Sequence, residues 1–113
     1  MIIGELSARS GVSPRLLRYY EEQGLVTATR GPNGYRQYDE SAVTTARIVR
    51  MMFQMGFAQD KVRAVLACAG DGAAEADHDA ARVSVAQMRD DIDQQMQQLA
   101  ATREVLTDFL ERR

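Results

Sequence analysis

The stretch SPRLLRYYEE, residues 13–22, followed by GPNGYRQY, residues 31–38, decides the reading of this chain. Ser13 offers an N-cap oxygen, and Pro14 fits a first helical turn, where its missing N–H would be unpaired anyway. Leu17 and Tyr20 then share one stripe, predicted to face a core, which leaves Arg15, Arg18 and Tyr19 facing outward. Gly24 ends this helix. Leu25 to Thr29 is expected to pair with Tyr35 to Tyr38 across Gly31-Pro32-Asn33-Gly34, as a small hairpin or wing. A helix with an arginine and tyrosine face, beside a hairpin carrying Tyr35 and Arg36, points to DNA. The helix is shaped to enter a groove, and the hairpin to grip phosphates nearby.

Upstream, Ile3 to Ser10 reads as a short helix with Ile3 and Leu6 inward. It stops at Gly11, which supplies the positive φ of a tight interhelical turn. Downstream, Asp39 is the expected N-cap of a third helix running to about Met55, with Ala42, Ala46, Val49 and Phe53 along one face. Gly56 stops it, and a fourth helix from about Ala58 to Ala69 turns Val62, Val65, Leu66 and Ala69 inward. Residues 1–69 thus form a winged helix-turn-helix head, residues 70–79 (GDGAAEADHD) a linker without large apolar side chains, and residues 80–113 one long helix. The fold class is mainly α, with a β-hairpin wing and a coiled-coil tail.

In the long helix Val85, Ile92, Leu99 and Leu106 recur every seven residues, with Met88, Met96, Phe109 and Leu110 on the adjoining stripe. About thirty helical residues reach roughly 45 Å at about 1.5 Å each, too long a stripe for a head of about seventy residues to bury. A second copy is expected to cover it. The rival arrangement folds the helix back onto its own core.

At 113 residues the chain suits one compact domain plus an appendage. It has no run of about 18 apolar residues to span a bilayer and no secretory signal at Met1-Ile2-Ile3-Gly4-Glu5, so a cytoplasmic location is expected. The lone Cys68 agrees with a reducing compartment. Residues 1–57 carry seven Arg against five acids and residues 58–113 seven Lys plus Arg against eleven acids, so the first half is the cationic one. Arg outnumbers Lys thirteen to one, through GC-rich coding or a need for bidentate phosphate contacts.

One His, one Cys and no Gly-rich phosphate loop leave no catalytic constellation, so an enzyme is not expected. Nor is a cofactor or a metal. Cys68 and His78 could hold zinc or copper only by sharing ligands across a dimer or recruiting Asp77 and Asp79. A redox role for Cys68 would need cationic neighbours, for which Lys61 and Arg63 are the candidates.

The segments IGELSARSGVSPRLLRYYEEQGL, GPNGYRQYDESAV and MGF together resemble the N-terminal region of MerR-type transcriptional regulators, and the likeness continues through the long helix. Its specific parts are Arg18 to Glu21, the pair Gly24 and Leu25, and the hairpin Asn33 to Tyr38. Gln59 departs from the pattern, which places an apolar residue there. The resemblance implies a homodimer with antiparallel long helices, set on a promoter inverted repeat in double-stranded DNA. It implies that the dimer bends and untwists the DNA for RNA polymerase, at a deformation cost of about 1–6 kcal/mol. On the matching positions it implies DNA contacts by Ser13, Arg15, Arg18, Tyr19, Tyr35 and Arg36. The seam of that dimer is expected on the stripe read from the heptad spacing, Val85, Met88, Ile92, Met96, Leu99, Leu106, Phe109 and Leu110. An effector-independent architectural or excision protein with the same head is the alternative. Regulators of this type report a signal through a metal loop or ligand-binding domain placed after the long helix, and this sequence ends at Arg113.

Overall fold

The computed structural model describes residues 1–69 and 75–112, with side chains from residue 78 onward in the second stretch. Among these residues five helices and one hairpin are arranged in order: α1 (Ile3–Ser10), α2 (Pro14–Glu22), β1 (Thr29–Arg30), β2 (Arg36–Gln37), α3 (Ser41–Gln54), α4 (Gln59–Ala69) and α5 (Glu75–Glu111). The expected mainly helical, winged architecture is therefore present. Of the linker expected at 70–79, residues 70–74 lie outside the described residues, and 75–79 are already helical. The earlier start has a simple cause: Glu-Ala-Asp-His-Asp contains neither Gly nor Pro, so nothing in it opposes helix.

α1 and α2 meet through Gly11, whose φ of 73° closes the turn, its N–H donating to the Ser7 carbonyl. Ser13 caps α2 by accepting from the Leu16 N–H at 3.2 Å. The outlook of both helices is as expected, with Leu6, Leu17 and Tyr20 fully buried. Tyr20 also lies against Phe53 of α3, with ring centroids 5.9 Å apart. This apolar spine sets the orientation of α2 on the body. Leu17 loses its whole side chain to water on unfolding, so Leu17→Ala should cost about 2–5 kcal/mol in denaturant unfolding. A loss below about 1 kcal/mol would mean that this core is not packed as described.

Three expectations need correction. Leu25 and Val26 are core residues, 3% and 2% exposed, and take no part in the hairpin, whose first strand is only Thr29–Arg30. The chain must first descend from α2 and fill the space beneath it before it can turn outward. Asp39 serves the start of α3 from one residue before the cap position: its carboxylate accepts from the Ser41 hydroxyl at 2.7 Å and from the Ser41 N–H at 3.4 Å, bonds that hold it below the usual carboxylate range, while Glu40 occupies the cap position without a side-chain capping bond. Ala69 is exposed; on α4 it is Val62 that reaches the core, with Val65 and Leu66 half-buried around it.

The long helix divides in two. Its first turns lie on α4, with Ala81 and Met88 buried and Val85 packed against the core cluster. From Ile92 onward every residue except Thr107 is exposed up to Arg112, and the molecule extends 71 × 35 × 19 Å. The arrangement in which the helix folds back onto the chain's own core thus holds for these first turns, and it stops there because α4 offers an apolar face of only about three turns.

Candidate nucleic-acid interface

The α2 helix presents Arg15, Arg18 and Tyr19 to solvent, as expected from their spacing against Leu17 and Tyr20. Among the described residues Arg18 forms no ion pair with Glu21 or Glu22, although both lie within its helical reach. Ser13 spends its oxygen on the cap, which leaves its hydroxyl proton free to donate.

The wing stands beside this face. Thr29 pairs with Gln37 and Arg30 with Arg36 in antiparallel register. The Gly31 N–H donates to the Tyr35 carbonyl at 2.8 Å, and the Gly34 N–H to the Gly31 carbonyl at 2.9 Å. Gly34, at φ 76°, allows the tip to turn back so sharply. Tyr35 is thrown out to 71% exposure. At the wing's base, Met1 and Tyr38 exchange backbone bonds, the Tyr38 N–H donating to the Met1 carbonyl at 2.7 Å.

Between α2 and the wing runs an open groove of about 600 Å³, lined by Ile2, Ile3, Arg18, Glu21, Glu22, Tyr35, Arg36 and Tyr38. Three of the expected contact residues, Arg18, Tyr35 and Arg36, therefore share one concavity. Arg15 and Tyr19 lie outside that lining, on the same exposed helix. Two features escaped the sequence reading. Arg30 stands opposite Arg36 in the ladder, and residues so placed share a face of the hairpin. Glu21 lies on the groove floor, its Oε2 accepting from Arg36 Nη1 at 2.5 Å and from the Tyr38 hydroxyl at 3.2 Å. Burial, then the Glu21 charge, pushes the Tyr38 phenol above its ordinary range. The available signal was the i, i+3 spacing of Arg18 and Glu21, which puts a carboxylate on the cationic face.

Other cations are spent on the fold. Arg9 pairs with Glu40 at 2.7 Å, Arg47 donates to the Arg9 carbonyl at 2.6 Å, and Arg63 donates to the Gln23 carbonyl. Gln59, the departure noted from sequence, bonds the Gln23 side chain at 3.1 Å, so a polar pair joins α4 to the end of α2. Arg50 is half-buried and Lys61 exposed, both away from the groove lining. Cys68 is half-buried in a shallow recess with Arg82, Val85, Ala86 and Arg89. Its cationic neighbours are thus on α5, in place of Lys61 and Arg63. Among the described residues no three His, Cys, Asp or Glu side chains gather to hold an ion; Asp77 falls outside the described side chains.

Residues 1–68 match the family described as MerR HTH family regulatory protein, and residues 43–109 the family described as MerR, DNA binding. The chain is 43% identical over 68 residues to heavy metal-dependent transcription regulator 2 of Rhizobium meliloti, covering 59% of this chain and 46% of that protein. It is 33% identical over 113 residues to an uncharacterized HTH-type transcriptional regulator of Pseudomonas aeruginosa, covering 98% and 83%. The chain spans about half the length of the first of these relatives. A solved structure from Listeria monocytogenes, of a chain assigned to the MerR family, shares the fold with TM-score 0.72 at 22% identity, over 98% of this chain and 86% of that one. Among the described residues no helix is long and apolar enough to cross a membrane.

Proposed function

We propose a function for this chain from the premise that it belongs to the MerR family of helix-turn-helix regulatory proteins. It is a sequence-specific DNA-binding transcriptional regulator that acts as a homodimer on a promoter inverted repeat, in the cytoplasm, and it is not an enzyme. The head of residues 1–69 binds DNA, and within the helix expected over residues 80–113 the exposed length from Ile92 dimerises. One observation carries this reading: Arg18 of α2 and Tyr35 and Arg36 of the wing line a single groove beside the exposed Arg15 and Tyr19. A helix N-terminus capped by Ser13, with arginines in its first turns, suits the major groove and its edge, and the wing suits the adjoining backbone.

The dimer is inferred from the surface that the head leaves uncovered. Val85 and Met88 pack on the chain's own core, so of the expected seam Ile92, Met96, Leu99, Leu106, Phe109 and Leu110 remain, between 41% and 87% exposed. These run from residue 92 to residue 110, with a midpoint near residue 101. Two copies crossing antiparallel at that point cover the stripe and send the two heads outward to opposite half-sites. Arg18 and Arg36 of both heads then neutralise phosphates on either side of the repeat's centre. That arrangement offsets the cost of bending and untwisting the spacer so that RNA polymerase engages both promoter elements.

Selection of duplexes from a randomised library, then anisotropy across salt and footprinting, tests this. An inverted repeat bound at least about a thousandfold more tightly than a scrambled duplex is expected. Equal, steeply salt-dependent binding to both would replace the regulator by a sequence-indifferent DNA protein.

A further inference from the structure

We infer that Glu21 is a positioning residue of the DNA-binding surface. From one carboxylate oxygen it ties both Arg36 and Tyr38 to α2, and so fixes the angle at which the wing meets the recognition helix. The inference rests on the DNA-binding reading above, and four observations carry it.

A carboxylate on the floor of a groove lined by Arg18 and Arg36 is adverse for a polyanion unless it is otherwise engaged. Glu21 is so engaged: its side chain is 17% exposed, and its Oε2 accepts from Arg36 Nη1 and the Tyr38 hydroxyl together. The wing has only two ladder residues in each strand, too little pairing to hold a hairpin rigid by itself. Finally, Arg30 and Arg36 stand opposite one another, a like-charge pair that opposes strand pairing until a neighbouring anion balances it. Glu21 meets both needs at once. Among the described residues, the guanidinium of Arg36 uses only Nη1 in this bond, so Nε and Nη2 remain for a phosphate. Glu21 acts on DNA through these two wing residues and has no contact of its own with the bound duplex.

The test uses the full chain and the duplex that wild type selects from a randomised library, with a scrambled duplex alongside. Glu21→Ala should weaken binding to the selected duplex by about tenfold while changing the scrambled one by less than about twofold, since losing an anion does not weaken nonspecific attraction. Loss of fold would weaken both. Glu21→Gln keeps an acceptor for Tyr38 and should recover part of the loss; it also serves if the alanine variant fails to fold. The tyrosine titration monitored by absorbance should shift toward ordinary values in Glu21→Gln, reporting the lost charge beside Tyr38. In a background of Arg36→Ala and Tyr38→Phe, Glu21→Ala should bring no further loss on the selected duplex. Wild-type or tighter binding by Glu21→Ala, or a full additive loss in that background, overturns the positioning role and makes Glu21 a competitor for Arg36 or a bystander. If wild type selects no duplex, the DNA-binding reading falls and this inference with it; if it selects one that the variants bind unchanged, only this inference falls.

Discussion

Replacing Arg18 and Arg36 together by alanine lowers affinity for the selected inverted repeat by at least about a hundredfold and leaves the dimer and the melting temperature nearly unchanged. The two residues line one groove, and both are exposed, so their removal opens no cavity in the core. Each dimer loses four cationic contacts. At about 0.9 counterions per neutralised phosphate, the slope of log K against log salt should flatten by about 3 to 4. That slope separates lost phosphate contacts from damaged folding, which would weaken binding without a defined change in salt dependence. The structural cost is confined to the Arg36 pair with Glu21, partly exposed and therefore worth little by itself. An undiminished affinity would remove the groove between α2 and the wing from the DNA-binding surface.

Leu99→Glu splits the dimer. In the single chain Leu99 is 69% exposed, so a charge there leaves the head's core intact. In the crossing proposed near residue 101 it is buried in both copies, and two unpaired carboxylates in a dry seam should cost several kcal/mol. The dimer dissociation constant should rise by about a thousandfold or more, read by sedimentation, with helical content falling as the unsupported end of α5 frays. Affinity for the inverted repeat should fall in parallel, since two half-sites are then bound independently. Val83→Glu is the control. Position 83 repeats by sevens as Asp90, Gln97 and Glu104, a polar line off the seam, and Val83 is 72% exposed. It should sediment as wild type; equal disruption by both changes would displace the interface from the stripe through Leu99.

Local chemistry in the sequence was enough for the helix-turn-helix. Ser13, Pro14 and Gly11 act within a few residues of themselves, and the stripe of Leu17 and Tyr20 needs only helical geometry to be assigned a side. Features that depend on a distant partner were less legible. Leu25 and Val26 look like strand residues, yet the space beneath α2 takes them into the core. Val85 and Met88 continue the heptad of Ile92 and Leu99, and the pattern alone does not distinguish the chain's own α4 from a second copy as the body that covers them. Glu21 shows the same limit for polar groups. A carboxylate beside an arginine on a helix has several partners within reach, and only the fold selects Arg36 and Tyr38, fifteen and seventeen residues away.

The attachment of α5 to the head at Ala81 and Met88 makes the two a lever. From residue 101 back to Ala81 is about twenty residues, or about 30 Å of helix. A rotation of about 6° between crossed helices would then displace each head by about 3 Å, close to the rise of one base-pair step. Stiffness, rather than affinity, is the contribution of such an arm: a small torsion at the crossing becomes a change in the spacing of two half-sites. In the proposed dimer, a torsion applied to the exposed length beyond Ile92 is therefore magnified into a larger displacement at the DNA.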